Sequence, residues 1–372
     1  MSSSPVSDPV PAQPYGRPPL RTVQVLGGTG AGSSAHVRSL ATGLAARGVG
    51  VTVCAPVAAE GEYDFTGAGA DFLPDAVSAL RVACAGADVV HAHGVRAGMR
   101  AALALRGRRV PLVVTWHGGG PAAAGAVGRL GRLLERHVAR AAAVVLGSSP
   151  DQVDLARLRG ARDARLAPTA LPAGAAAGAA AADPGKARAE LGSMERPLLI
   201  AVGSLVPRRG YSVLLDAARA WRALDPLPLL VIAGEGPMRG ELARRIEAEA
   251  LPVRLLGRRR DAAQLLAAAD VAVLPSRWEA RSLLAQAALR AGVALVATRV
   301  GGVPELVGDA AVLVPYGDPA ALAEAVSGLL ADPDRRAALA AAGRVQAATW
   351  PSEDDTVAQV LSVYDELTNR RR

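Results

Sequence analysis

The sequence predicts an α/β protein of two Rossmann-like parallel-sheet domains facing across a cleft. Three observations carry that expectation. Short apolar strands alternate with helical segments along most of the chain, a pattern that implies right-handed crossovers and a parallel sheet. Between Thr169 and Pro197 the alternation gives way to Ala, Gly and Pro, as in a linker, and then starts again. A length of 372 residues divides naturally into two domains of about 150–200 residues each.

Taken in order, residues 1–20 carry Pro5, Pro9, Pro11, Pro14, Pro18 and Pro19 among Ser and Gln and read as a disordered tail. The first domain is expected over residues 21–168. Strand Thr22–Leu26 runs into a glycine loop, Gly27–Ser34, and helix His36–Arg47; Gly48 caps that helix before strand Val49–Cys54. Asp88–His91, Leu112–Thr115 and Val144–Leu146 are further short apolar strands. A linker is placed at 169–197 and the second domain at 198–351. Its expected strands are Leu198–Val202, Leu229–Ala233, Val253–Leu256, Val271–Leu274 and Ala294–Thr298. Its helices are Tyr211–Leu224, Met238–Glu249, Asp261–Ala269, Ser282–Ala291, Pro319–Leu330 and Asp334–Ala342. Ser352 and an acidic first turn mark the start of a last helix, 352–367, expected to cross back to the first domain.

Composition narrows the function. Hydrophobic residues make up 51% of the chain and aromatics only 3%, so the cores must be built from Ala, Val and Leu. A formal net charge of +8 favours anionic partners. No nucleic-acid-binding motif accompanies it, and two Phe residues leave little for base stacking, which argues against nucleic acid. Cys54 and Cys84 lack metal spacing and read as reduced structural thiols. There is neither a signal-peptide pattern nor an apolar run of about 20 residues, so a cytoplasmic protein is expected.

Several segments carry chemistry. Gly30-Ala31-Gly32-Ser33-Ser34-Ala35 satisfies G-x-G-x-x-G/A between a strand and a helix, where backbone amides cradle phosphate. The second strand ends Val53-Cys54-Ala55-Pro56 without the acid that a dinucleotide ribose requires. A different phosphate-facing loop, a nicotinamide-cofactor site and a structural tight turn remain the three readings. In the second half, Val202–Gly210 places Arg208 and Arg209 between a strand and a helix, where forked guanidinium donors suit a diphosphate; a solvated basic turn is the alternative. His91 and His93 form His-x-His, but no carboxylate or Cys joins them, so no metal is expected. His117 follows an apolar strand, precedes three glycines and is expected to face the cleft as a polar contact to substrate or as a structural imidazole. Residues 126–145 put Arg129, Arg132, Arg136 and Arg140 on one helical face and Leu130, Leu133, Leu134 and Val138 on the other. That arrangement suits peripheral contact with an anionic membrane, or simply a packed helix with a solvated face. Asp332-Pro333-Asp334 reads as a helix cap.

The segment Val273–Leu306 is the most informative. An apolar strand ends in a loop holding Glu279; a helix closed by Gly292, a second strand and a Gly-Gly-x-Pro-Glu turn follow. An acid at the carboxyl end of a buried strand sits where open α/β sheets bind ligands.

Together these segments resemble the retaining glycosyltransferases of family 4, of actinobacterial type, with the GT-B fold. The resemblance spans about residues 22–367. It is carried by GGTGAGSSAHVRSLATGLAARG, DVVHAHG, PLVVTWH, VGSLVPRRGYSVLLDAA, VIAGEGP, LLGRRRDAAQLLAAADVAVLPSRWEARSLLAQ and VATRVGGVPELV, in the family's order. It implies metal-independent transfer of a sugar from a nucleotide diphosphate donor, of UDP or GDP type, to an unidentified acceptor, with no further cofactor. It places the loop of Gly28, Gly30 and Gly32 near the donor phosphate and His117 at the transferred sugar. Arg209, with Arg208 beside it, falls at the diphosphate, Glu279 at the sugar hydroxyls, and Arg259 near the base. The backbone amides of Arg281, Ser282 and Leu283 fall at the β-phosphate.

Two positions depart from the family pattern: Ser204 replaces an Arg beside the diphosphate, and Ala287 replaces the second Glu of a Glu-x7-Glu pair, the ribose ligand. Each lost charged hydrogen bond is worth about 1.5–3 kcal/mol. The alternative reading is therefore a catalytically weakened or inactive nucleotide-sugar-binding protein of the same fold, unless Arg208 or Gln286 substitutes. On a regular helix Gln286 points about 100° away from position 287.

Overall fold

The structure, a computed structural model, describes residues 19–28, 30–118, 125–170 and 183–370. The expected tail up to Pro18, Thr29 of the glycine loop and residues 171–182 of the expected linker lie outside the described residues.

Seven strands build the first sheet: β1 (Arg21–Leu26), β2 (Gly50–Ala55), β3 (Asp71–Pro74), β4 (Val89–His93), β5 (Leu112–Trp116), β6 (Val144–Gly147) and β7 (Ala164–Leu166). Their spatial order is β3-β2-β1-β4-β5-β6-β7, with every pairing parallel. The connecting helices are α1 (Ala31–Ala45), α2 (Val57–Tyr63), α3 (Val77–Ala83), α4 (Val95–Ala104), α5 (Gly125–Ala141) and α6 (Pro150–Leu158). The central strands β4, β5 and β6 are buried at every residue. This is why they read as continuous apolar runs rather than as alternating ones.

The second sheet has six strands: β8 (Leu198–Val202), β9 (Leu229–Ala233), β10 (Val253–Gly257), β11 (Val271–Leu274), β12 (Ala294–Thr298) and β13 (Val312–Val314). They are ordered β10-β9-β8-β11-β12-β13 and are again all parallel. Its helices are α7 (Pro184–Leu191), α8 (Tyr211–Ala218), α9 (Arg239–Ala248), α10 (Ala262–Ala267), α11 (Leu283–Ala291), α12 (Val303–Val307), α13 (Pro319–Ala331) and α14 (Pro333–Ala348). The last helix, α15 (Glu353–Asn369), opens with a capping box between Ser352 and Asp355. Its Val357, Val360, Val363, Tyr364 and Leu367 join the core formed by β1, β2, α1 and their neighbours. The end of the chain thus completes the first half.

Several elements differ from the sequence expectation. Helix α1 begins at Ala31, so Gly32, Ser33 and Ser34 belong to its first turn rather than to the loop. The segment expected as one helix over Tyr211–Leu224 is α8 followed by a 3-10 turn, Ala220–Ala223, which buries Trp221. Residues 184–191, assigned to the linker by composition, form α7, whose Ala187 and Leu191 are buried in the core of the second half. Asp183 caps that helix by accepting from the Lys186 amide. The edge strands β3, β7 and β13 are three or four residues long, too short to show a pattern. Cys54 and Cys84 are free and buried. Among the described residues no helix is long and apolar enough to cross a membrane.

Candidate active site

In each sheet the strand order reverses once, between β1 and β4 and between β8 and β11. Ligands of open α/β sheets bind beyond the strand carboxyl ends at such reversals. The described residues found there are Gly27, Gly28, Gly30, His93 and His117 in the first half, and Gly203–Arg209 and Pro275–Ser282 in the second.

In the second half a carboxylate and a cation meet. Glu279 is 7% exposed, and its Oε1 accepts from Arg209 Nη1 and, at 2.7 Å, from Ser276 Oγ. Thr298 Oγ1 at the end of β12 donates to the Ser276 carbonyl at 2.5 Å and holds that turn to the sheet. Backbone geometry permits the approach. Gly210 follows the 3-10 turn Pro207–Arg209 at φ +71, and a Cβ there would lie 1.9 Å from the Pro275 carbonyl oxygen. Gly301, at φ +51, packs against the Glu279 carbonyl, 2.1 Å from where its Cβ would stand. The Glu279 carbonyl accepts from the Gly302 amide at 2.9 Å. Only glycine offers both the positive φ and the missing Cβ at these two positions. Arg209 Nε is buried without a hydrogen-bond partner, so the guanidinium keeps a donor in reserve beyond its ion pair.

The start of α11 lies next to this pair. Ser282 caps the helix, its Oγ accepting from the Ala285 amide at 3.3 Å. A helix start leaves other first-turn amides without intrahelical partners, including that of Leu283, and they suit an anion. Leu283 also marks where the halves meet: its Cδ1 stands 3.8 Å from where a Cβ on Gly32 would be. The two predicted phosphate-facing elements therefore confront each other. Further cross-contacts run from Trp278 Nε1 to Asp151 Oδ2 at 3.2 Å and from Arg258 to Glu62 at 2.9 Å.

Other predicted residues are engaged differently. The Arg281 side chain turns away from this pair: its Nε donates to the Thr169 carbonyl at 2.8 Å and its guanidinium lies 5.5 Å from the Trp350 ring. Burial lowers its pKa to about 10. Arg259 is paired with Asp261, through Nε at 2.7 Å and Nη2 at 2.5 Å. Arg208 is exposed, with its carbonyl accepting from the Arg277 amide at 2.8 Å. Gly28 and Gly30 flank Thr29, and Gly30 is the residue from which α1 starts. Ser204 is exposed. Ala287 packs half-buried against the core of the second half. Gln286 is fully buried with neither amide atom partnered.

In the first half four imidazoles gather at the carboxyl ends of β4 and β5. His93 Nδ1 lies 3.1 Å from His117 Nε2, and His93 Nε2 lies 3.0 Å from Gln24 Oε1. His91 bridges Tyr364 Oη at 2.7 Å and Thr115 Oγ1 at 2.6 Å. His36 meets His117 edge-on, with ring centroids 5.1 Å apart. Burial pushes the pKa of His36 down to about 4 and that of His91 to about 3. Those of His93 and His117 also fall well below the usual range, burial first and neighbouring imidazoles second. Ring nitrogens of His36, His93 and His117 all lie within 4.8 Å of one another, a spacing a metal ion can use, although the His93–His117 hydrogen bond already engages two of them. Sequence reasoning singled out His117 but missed Gln24, His36 and Ser276. Their signal was faint: one polar residue inside an apolar strand, one histidine in a helix, and one Ser three residues before the acid.

Comparison with known proteins agrees with this fold. Residues 31–172 match the family described as "Glycosyl transferase 4-like domain" and residues 196–332 that described as "Glycosyl transferases group 1". A D-inositol 3-phosphate glycosyltransferase of Xylanimonas cellulosilytica is 34% identical over 313 residues, covering 76% of this chain and 73% of that protein. A GDP-mannose-dependent monoacylated alpha-(1-6)-phosphatidylinositol monomannoside mannosyltransferase of Corynebacterium glutamicum is 36% identical over 183 residues, 46% of this chain and 48% of that one. Anabaena HepE, solved in complex with UDP-glucose, superimposes with a TM-score of 0.78 at 19% identity, covering 92% and 99% of the two chains. The fold is GT-B, with two Rossmann-like domains. The chain belongs to the family-4 type of glycosyltransferases and is a glycosyltransferase.

Proposed function

We propose that this enzyme transfers a sugar, with retention of anomeric configuration and without a metal, from a UDP- or GDP-type sugar to an anionic acceptor. The observation that carries the reading is the Arg209–Glu279 pair with its reserve donor. Arg209 Nε is buried and unpartnered, and an unmet buried donor costs about 1–3 kcal/mol, which a diphosphate oxygen would relieve. Both bonds to Glu279 fall on Oε1, leaving its other oxygen for a sugar hydroxyl. In transfer, the bond from the anomeric carbon to the diphosphate oxygen breaks and one to the acceptor oxygen forms. The acceptor proton leaves with the nucleoside diphosphate. Negative charge grows on that leaving group, and Arg209 together with the α11 amides is placed to stabilise it. His117 contacts the sugar from the first half, and Gly28, Gly30 and Gly32 border the donor phosphate. The names of the inositol phosphate and phosphatidylinositol mannoside relatives support an acceptor that carries phosphate.

Peripheral membrane contact belongs to the same reading, with a different geometry from that expected. Leu130 and Leu133 of α5 are 58% and 60% exposed, on the same side as the exposed Arg129, Arg136, His137 and Arg140. At 100° per residue these six positions span about 120° of arc. Val138 and Ala139 form the packed side instead. Exposed leucines among arginines suit an anionic lipid interface better than a purely basic face does.

The test is calorimetry of the purified chain with UDP-, GDP- and ADP-sugars. Binding of one of them, lost in Arg209→Ala, is the expected result; no binding to any of the three would sink the donor reading.

A further inference from the structure

We infer that Gln24 and His93 are positioning residues whose hydrogen-bond polarity fixes which nitrogen of His117 carries the proton. The inference rests on the reading of His117 as the sugar contact, but its central measurement does not.

The geometry is a buried chain that begins on the last helix and ends at the cleft. Gln24 lies inside β1 and is fully buried. Its Nε2 donates to Thr22 Oγ1 at 3.0 Å and to Tyr364 Oη at 2.9 Å. Both amide hydrogens are thereby used, and a carboxamide oxygen only accepts. The 3.0 Å contact between Gln24 Oε1 and His93 Nε2 therefore requires His93 to carry its proton on Nε2. Burial keeps these imidazoles neutral near pH 7, so each ring has a single N–H. His93 Nδ1 is then a bare acceptor, and the 3.1 Å contact to His117 Nε2 is filled by the His117 Nε2–H. What remains on His117 is Nδ1 with a lone pair and no hydrogen, able to accept from a sugar hydroxyl. The side branch agrees: Tyr364 Oη, already accepting from Gln24, donates to His91 Nδ1 at 2.7 Å, and His91 Nε2–H donates to Thr115 Oγ1 at 2.6 Å.

The same heavy-atom positions admit one other self-consistent state. Turning the Gln24 amide by half a revolution exchanges its donor and acceptor ends. Gln24 would then donate to His93 Nε2, His93 Nδ1–H would donate to His117 Nε2, and His117 would carry its proton on Nδ1. A single amide thus decides whether His117 offers the substrate an acceptor or a donor. Fully satisfied buried networks of this kind hold one polarity because reversing it means rearranging every member.

The experiment is 15N NMR of the full-length chain labelled at histidine, with His117 assigned by comparison with His117→Gln. The expected spectrum shows a protonated Nε2 and an unprotonated Nδ1 on His117. In Gln24→Leu the two tautomers of His117 are expected to mix, and kcat for sugar transfer to fall on the order of tenfold with little change in donor KM. Tyr364→Phe, which removes one acceptor of the amide while leaving the core filled, is expected to move the spectrum in the same direction. A His117 that carries its proton on Nδ1 in the unmodified chain would overturn the inference, as would a spectrum indifferent to Gln24→Leu. If the Nε2–H form is found but no nucleotide sugar binds, the relay stands and the donor reading falls.

Discussion

At the scale of single residues, the proposed reaction depends on how firmly Glu279 is held. Its Oε1 takes a bond from Arg209 and one from Ser276. A hydrogen bond to a charged group contributes about 1.5–3 kcal/mol. Ser276→Ala is therefore expected to lower kcat/KM about tenfold to a hundredfold while the protein stays folded, which steady-state assays beside a melting curve would check. The buried imidazoles set a second expectation. His36 and His91 are shifted from 6.5 down to about 4 and 3, and His93 and His117 move the same way. Below pH 6.5 the unfolded chain takes up protons that the folded chain refuses, so stability is complete above that value and is lost as pH falls toward 4. His36 and His91 each contribute about 1.4 kcal/mol per pH unit in that window. Melting temperatures between pH 7.5 and 5 should fall steeply below pH 6.5, and His36→Gln, which takes up no proton, should flatten the slope. A flat wild-type profile would contradict the burial of these rings.

At the scale of elements, two helices carry the informative departures from expectation. In α11 the family's second carboxylate is missing, and Ala287 instead packs half-buried against the core. Ala287→Glu is expected to tighten nucleotide diphosphate binding by about tenfold to a hundredfold, the worth of one charged hydrogen bond. Calorimetry giving unchanged or weaker affinity would count against position 287 as the ribose site. In α5 the exposed leucines turn a solvated helix into a candidate lipid contact. Leu130→Ser with Leu133→Ser should reduce sedimentation with anionic vesicles and leave the fold intact, while high salt should weaken the arginine contribution. Sedimentation that neither change affects would remove the membrane role. Both helices show where pattern reading ends. Periodicity located α5 correctly, but it could not tell which side packs, because Leu and Arg lie on overlapping arcs and a neighbouring element decides. The α7 segment was obscured for another reason: its Ala, Gly and Pro neighbours diluted an eight-residue helix below any window able to detect it.

At the scale of the whole molecule, the last helix ties the two ends of the chain together. Five buried residues of α15 lie in the core of the first half, and each full burial contributes about 1.5–3 kcal/mol. The sum is comparable with the whole stability of a domain, about 5–15 kcal/mol. A chain ending at Pro351 is therefore expected to lose the cooperative unfolding of its first half in calorimetry while the second half still melts. Retention of both transitions would show the helix to be dispensable. The sequence alone determined the fold class, the two sheets and most of their strands, because strand-helix alternation and buried apolar runs are local signals. It also marked Glu279, Arg209 and His117, because each stands in the segment that follows the carboxyl end of an apolar strand. Only the tertiary structure decided which groups meet. Arg209 reaches Glu279 across 70 residues, Tyr364 reaches Gln24 across 340, and the Arg281 guanidinium packs over Trp350. Those choices follow from close approach and from the matching of donors to acceptors in a packed interior, and neither is written in the spacing of residues along the chain.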